Sequence, residues 1–389
     1  MSVTPIYLDY NATTPCDQRV VDVMLPYFTS QFGNASSGDH SFGWMAKEAV
    51  EQAREQIANL IHVSPKQLIF TSGATEAVNL ALKGIAEACI SKGNHLITSK
   101  VEHQAVLDTC AYLETKGFIV TYLDVDANGR IALNQLKEAI NTKTICIALM
   151  YANNETGIIN PVKQIGALAR RHGVYFMCDA TQAVGKIPVD VEQDFIDLMA
   201  FSAHKMYGPK GVGALFVRNV NPKVEILQQQ HGGGHEKGYR SGTLNTAGIV
   251  GFGKAAAICQ EEMQEDSRRL LKLREEMEVI LLQEIQEAFI NGKGEKLPQT
   301  CNISFPGIDS EQLLLTISKD VALSRGSACS GIVQRPSHVL QAMGLKPTAA
   351  HNAIRISLGR QTSEQEIKLA TATLIAAVRQ FTVKSEQVF

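Results

Sequence analysis

The stretch Ala200–Phe216, AFSAHKMYGPKGVGALF, decides how the chain is read. An apolar strand-like run ends at a serine. A histidine and Lys205 follow among small residues, and a glycine-rich turn leads into a second apolar run. A lysine at the end of a buried strand should have its pKa lowered by desolvation, as a Schiff-base amine requires. Ser202 and His204 beside it are suited to holding a phosphate.

Outward from this stretch, residues 70–217 alternate apolar runs with helical segments. QLIFTSG, NHLITS, FIVTYLDV, TICIALMYA, VYFMCDA, LMAFSAH and VGALFV read as buried strands. Strands of this kind interleaved with helices predict an α/β fold with a mainly parallel sheet. Ligands bind such sheets beyond the strand carboxyl ends, so polar residues just after each strand are the candidate site. In TSGATEAVN, residues 71–79, Ala74 and Thr75 open a helix able to cradle a phosphate; alone, the motif reads first as a plain N-cap. His103 follows a strand and could stack on a flat ring or shuttle protons. Asn154 follows another and could bind a cofactor oxygen or a carboxylate.

Asp179, after VYFMC, needs solvent or a cationic partner, and a pyridinium nitrogen is one; Gln182 lies three residues on. Arg355, in AIRISLG, suits a carboxylate clamp or a structural ion pair. His231 and His235 in HGGGHEKGYRSGT do not read as a metal pair, because three glycines oppose the helix that i,i+4 ligands need. That loop is expected to approach a phosphate or another subunit, with Thr243 as a donor.

The periodic run 261–289 predicts a long helix leading to a second domain. That domain would hold the strands TCNISFP and AIRISLG and a final helix from Ser363 to about Phe381. The expected division is a large domain, 16–258, and a smaller α+β domain formed by 1–15 and 259–389.

Composition bounds the rest. The chain has 389 residues and a formal net charge of −2, which gives no reason to expect nucleic acid or an anionic membrane as partner. No apolar run approaches the ~20 residues that span a bilayer. The first residues lack the pattern of a signal or transit peptide, which favours the cytoplasm. None of the eight cysteines forms a C-x-x-C pair, and most sit in apolar runs as core thiols. Cys329 differs: SRGSACSG is loop composition, and Arg325 nearby would favour the thiolate.

Taken together, YLDYNATTP, FGNASS, GATEAVNLA, VEHQAV, NNETGI, DATQAVGK, SAHKMYGPKG, HGGGHEKGYRSGT, SRGSACS and RISLGR resemble the cysteine desulfurases of iron–sulfur cluster assembly and nitrogen fixation. The resemblance implies a homodimer with the type I fold of pyridoxal 5′-phosphate (PLP) transferases, its large domain built on the parallel sheet. It implies that Lys205 carries the cofactor and moves protons, and that His103 stacks on the ring as acid–base. Asp179 would pair with the ring nitrogen and Gln182 with the phenolic oxygen. Ala74, Thr75, Ser202 and His204 would bind the phosphate, with Thr243 from the partner subunit. Asn154 and Arg355 would hold the substrate carboxylate.

Cys329 would take sulfur from L-cysteine, leave alanine, and pass its persulfide to an acceptor such as a cluster scaffold. Two departures bear on that acceptor: Arg325 stands where the family more often has serine, and SGIVQRPS replaces a segment usually richer in small and acidic residues. A selenocysteine lyase, another class V aminotransferase or a non-catalytic scaffold are the rival readings.

Overall fold

The computed structural model describes residues 4–325 and 336–386. Twelve strands occur among the described residues: β1 (Ile6–Tyr7), β2 (Leu68–Thr71), β3 (His95–Ser99), β4 (Ile119–Leu123), β5 (Thr144–Met150), β6 (Tyr175–Asp179), β7 (Leu198–Ser202), β8 (Gly213–Val217), β9 (Phe289–Ile290), β10 (Thr300–Ser304), β11 (Val321–Ala322) and β12 (Ala353–Ser357). Seven form one sheet in the order β2-β8-β7-β6-β5-β3-β4. Every pairing in it is parallel except the two made by β8, so the expected α/β architecture is present. β5 and β7 are buried along their whole length. Their sequences are apolar on both faces because helices cover both sides of the sheet.

One face packs on a core that includes Phe70, Phe176, Phe201, Phe216 and Phe252. The other packs on the helix Ala74–Ala88, through Val78, Leu82 and Ile85. A separate cluster surrounds β10 and β12, with Leu273, Met277, Leu281, Leu374 and Val378. There β10 pairs antiparallel with β9 and β12, and β1 pairs parallel with β11.

The long helix spans Thr246–Glu284 and so begins fifteen residues before the expected start. Its first turns, TAGIVGFGKAAA, carry glycines that lower intrinsic helix propensity and hide the periodic pattern. Packing requires them. A Cβ on Gly253 would lie 2.5 Å from the Ala53 Cα of the helix Ser41–Leu60, and one on Gly251 would lie 2.5 Å from the Met24 Sδ.

The N-terminal segment joins the two packing centres. β1 pairs with β11, Asn11 N–H donates to Ser357 Oγ at 2.9 Å, and Thr14 N–H donates to the His204 carbonyl at 3.0 Å.

Candidate active site

The carboxyl ends of β2, β3, β5, β6 and β7 open into a cavity of about 1220 Å³. It is lined by Ala74, Thr75, His103, Asn154, Asp179, Gln182, Ser202, His204, Lys205 and Arg355. Ten of the residues singled out in the sequence therefore meet in one place. Thr243 does not join them: it is exposed, in the turn before the long helix. Cys329 lies outside the described residues.

One end of the cavity is built on backbone. The helix Ala74–Ala88 starts at Gly73, with a φ of 156° and no side chain to cap the helix. First-turn N–H groups of a helix lack intrahelical acceptors, and an anion is their natural partner. The facing glycine is required by approach: a Cβ on Gly213 would lie 2.7 Å from the Gly73 Cα. The Ser202 Oγ stands within 3.7 Å of where a Gly73 Cβ would be. The His204 Nδ1 hydrogen-bonds Thr13 Oγ1 at 3.1 Å. Burial, with Lys205, Lys210 and Lys186 nearby, pushes its pKa down to about 4, so the ring serves as a neutral hydrogen-bonding group.

Lys205 ends a short 3-10 turn after β7. Its Nζ donates to the Asn11 and Ala12 carbonyls, each at 2.6 Å. Gln182 Nε2 donates to the same Asn11 carbonyl at 2.9 Å. Asp179 is buried, and Thr181 donates to its Oδ1 through both N–H, at 3.0 Å, and Oγ1. Both bonds fall on one oxygen, which leaves Oδ2 open to a further donor.

His103 caps the helix Gln104–Glu114, its Nδ1 accepting from Ala105 N–H at 3.1 Å. The ring proton of the neutral imidazole accordingly sits on Nε2. Glu102 beside it is fully buried and accepts from Ser99 Oγ at 2.7 Å. Burial raises its pKa to about 8.

Arg355, 2% exposed, bonds Asp9 Oδ1 through Nη2 at 2.7 Å and the Asn154 carbonyl through Nη1 at 3.0 Å. The structural ion pair anticipated as an alternative thus exists, and it sits at the wall of the cavity. Asn154 is bound to the site through its backbone carbonyl, and the residue lines the cavity. Next to it, Glu155 is buried and accepts from Ser337 Oγ at 2.5 Å. Burial raises the Glu155 pKa against the opposing pull of Ser337, His338, Arg355 and His103.

The glycine-rich loop 231–243 is pinned to this end of the sheet. Glu236 is buried, takes two bonds from Arg54 at 2.8 and 2.9 Å, and accepts from Phe70 N–H at 2.7 Å. Arg240 Nε donates to Glu76 Oε1 at 2.7 Å. Arg325, at the edge of the cysteine segment, pairs with Glu311 at 3.3 Å.

Among the described cysteines, six are buried and Cys16 is partly exposed. Burial pushes Cys110 up to about 12 and Cys259 up to about 11. Cys146, Cys178 and Cys301 lie well above the ordinary thiol range for the same reason. None of the seven lines the cavity.

Sequence reasoning assigned no role to Asp9, Asn11, Thr13, Glu155, Lys186 or His338. The signal available for the first three was the polar run DYNATTP, which follows only the two-residue strand β1, too short to mark a carboxyl end in the sequence.

An uncapped helix start, a carboxylate with one open oxygen and a lysine at a strand end suit PLP's phosphate, ring nitrogen and aldehyde respectively. The fold and the cavity are those of a type I PLP-dependent transferase. The aminotransferase class-V family profile matches residues 6–369. Cysteine desulfurase IscS of Anaeromyxobacter sp. (strain Fw109-5) is 50% identical over 376 residues, 96% of this chain and 93% of that protein. A solved NifS-like protein superposes with a TM-score of 0.89 at 36% identity, covering 97% of this chain and 100% of that one. A structure of SspA in complex with cysteine superposes with a TM-score of 0.80 at 37% identity, covering 91% and 98%. The chain belongs to the class-V aminotransferase family, in its cysteine desulfurase branch. Among the described residues, no helix is long and apolar enough to cross a membrane.

Proposed function

We propose that the chain converts L-cysteine to L-alanine and receives the sulfur on Cys329 as a persulfide. The observation that carries this reading is the convergence of Lys205, Asp179, Gln182, His103 and Arg355 on one cavity at the carboxyl ends of the sheet, in a chain of this family. Bound PLP supplies an electron sink for the pair left on the cysteine α-carbon.

The protein's own groups do the rest. Ala74, Thr75, Ser202 and His204 hold the phosphate, and Thr243 of a second copy completes that cradle. Asp179 Oδ2 accepts from the ring nitrogen, and Gln182 Nε2 donates to the phenolic oxygen. His103 covers the ring, and its Nε2–H serves proton transfer. Asn154 and Arg355 fix the substrate carboxylate. Lys205 Nζ removes the α-proton and later returns one to the product. The Cys329 thiolate attacks the substrate sulfur; the sulfur–sulfur bond forms as the carbon–sulfur bond breaks, and that bond's electron pair stays with carbon. No described thiol is placed to compete for this role.

A homodimer in the cytoplasm, with a protein acceptor such as an iron–sulfur cluster scaffold, completes the reading. An apolar surface at Phe28, Phe32, Phe42 and Trp44, exposed by 43–66%, supports a second copy as cover. The two-domain division at residues 16 and 258 is supported by the separate packing around β10 and β12.

The test is direct. PLP-loaded protein given L-cysteine and a thiol reductant is expected to form alanine and sulfide in equal amounts. Alanine no higher than in the cofactor-free control would overturn the reading.

A further inference from the structure

Lys186 has no part in the chemistry above, yet its amine ends beside the cofactor-facing groups. Residues 180–187 form tight successive turns, with Val184 N–H bonded to the Ala180 carbonyl and Ile187 N–H to the Ala183 carbonyl. Gln182 and Lys186 therefore stand one turn apart, and Lys186 Nζ donates to Gln182 Oε1 at 2.6 Å. The turn itself is held from outside. Ser267 Oγ donates to the Lys186 carbonyl at 2.5 Å. Gly185 has a φ of 77°, and a Cβ there would lie 2.8 Å from Met206 Cβ and 3.0 Å from Cys259 Sγ.

An amide has two ends of opposite character, and which end faces a ligand is decided by what the other end bonds. Lys186 is a donor in either protonation state, so it takes Oε1 and turns Nε2 the other way. Nε2 then carries two hydrogens toward the cavity. One is used on the Asn11 carbonyl at 2.9 Å, the same oxygen that receives Lys205 Nζ. The second remains for a ligand oxygen.

We propose that Lys186 is a positioning residue that locks the Gln182 amide with its N–H groups toward the cofactor's phenolic oxygen. The inference rests on the reading of Gln182 and Lys205 as cofactor contacts. The surroundings of the amine are consistent with it. Burial and the cations of Lys205 and Arg355 push Lys186 well below the usual lysine range, and Cys259 opposes them. A half-buried lysine there needs an acceptor, and Gln182 Oε1 supplies one.

A donor on the phenolic oxygen withdraws negative charge from it and so lowers the pH at which the visible band of the loaded protein titrates. Lys186→Met frees the amide, and the midpoint is expected to rise by about half a unit to one unit, the scale of one hydrogen bond. Lys186→Arg, which keeps a donor, should return it toward wild type. The decisive measurement is the same titration in Gln182→Ala and in the double variant, because residues acting through one another are not additive. If Lys186 works through Gln182, adding Lys186→Met to Gln182→Ala moves the midpoint no further.

An additive shift means the lysine acts only as a remote charge, and the proposal fails. An unchanged midpoint in Lys186→Met sinks it equally. Should that variant not fold by circular dichroism, Lys186→Leu, which also lacks a donor, is titrated in its place against the same two outcomes. A wild-type protein that gains no visible band with PLP would instead overturn the cofactor reading itself.

Discussion

Lys205 Nζ and the Asn11 carbonyl oxygen stand 2.6 Å apart, across 194 residues of chain. The Lys205 amine is thus held by a backbone group from the N-terminal segment. Lys205→Ala is expected to abolish the visible absorbance formed with PLP and to reduce alanine formation at least ~10²-fold, since the proton-transfer group is lost. A variant that retains both the band and the turnover would show that another amine carries the cofactor.

Cys329→Ser separates cofactor chemistry from sulfur transfer. Its absorbance with PLP should match wild type, because none of the cavity groups described changes. Sulfide release from cysteine should fall to background, since a serine hydroxyl cannot hold a persulfide. Labelled sulfur left on the wild-type chain after cysteine treatment, and missing from the variant, is the companion measurement. Sulfide at the wild-type rate would move the nucleophile elsewhere.

Asp9 and Arg355 form an ion pair at the cavity wall, 2.7 Å apart, with side-chain exposures of 17% and 2%. Breaking a buried pair by removing one partner costs about 3 kcal/mol. Asp9→Ala is therefore expected to lower the denaturation midpoint. It should also raise KM for cysteine more than it lowers kcat, because the guanidinium loses its orientation. A raised KM without lost stability would mean that the pair orients Arg355 without supporting the fold.

Glu102 gives the pH dependence a definite sign. Its folded pKa is raised to about 8 by burial, against an ordinary glutamate value of about 4.3 when unfolded. The folded state holds a proton that the unfolded state releases. Its contribution is fully present below the unfolded value and is lost as pH rises toward 8. Glu102→Gln mimics the protonated form. It should flatten the fall in stability across that window and gain on the order of 2 kcal/mol at pH 8. Urea midpoints of the two proteins at pH 5 and pH 8 check this; parallel curves would mean that Glu102 is ionised throughout.

Much of the site could be read from sequence because a parallel sheet converts order along the chain into position. His103, Asn154, Asp179 and Lys205 each come at or just after the end of a buried strand, and parallel strands deliver such residues to one edge of the sheet. Asp9 and Asn11 escaped because their places depend on contacts with Arg355, Ser357 and Lys205, which no local pattern encodes. Lys186 escaped because its meaning is a hydrogen bond to Gln182, and an i,i+4 spacing in a turn looks like any other. The early start of the long helix was hidden by glycines whose purpose is close packing against Ala53 and Met24. Thr243 was expected to donate to the cofactor phosphate, but it lies exposed and outside its own chain's cavity.

The N-terminal segment has a consequence for how the molecule is made. Ile6 pairs with Val321, and Asn11 N–H bonds Ser357 Oγ, so this segment must wait for partners synthesised long after it. Such distant pairings close late in folding. Until residue 357 has been synthesised, the carbonyl oxygens that aim Lys205 have no fixed seat, although every strand of the seven-stranded sheet already exists. A nascent chain therefore gains its scaffold early and its chemistry late, and a truncated product lacks the means to aim its lysine.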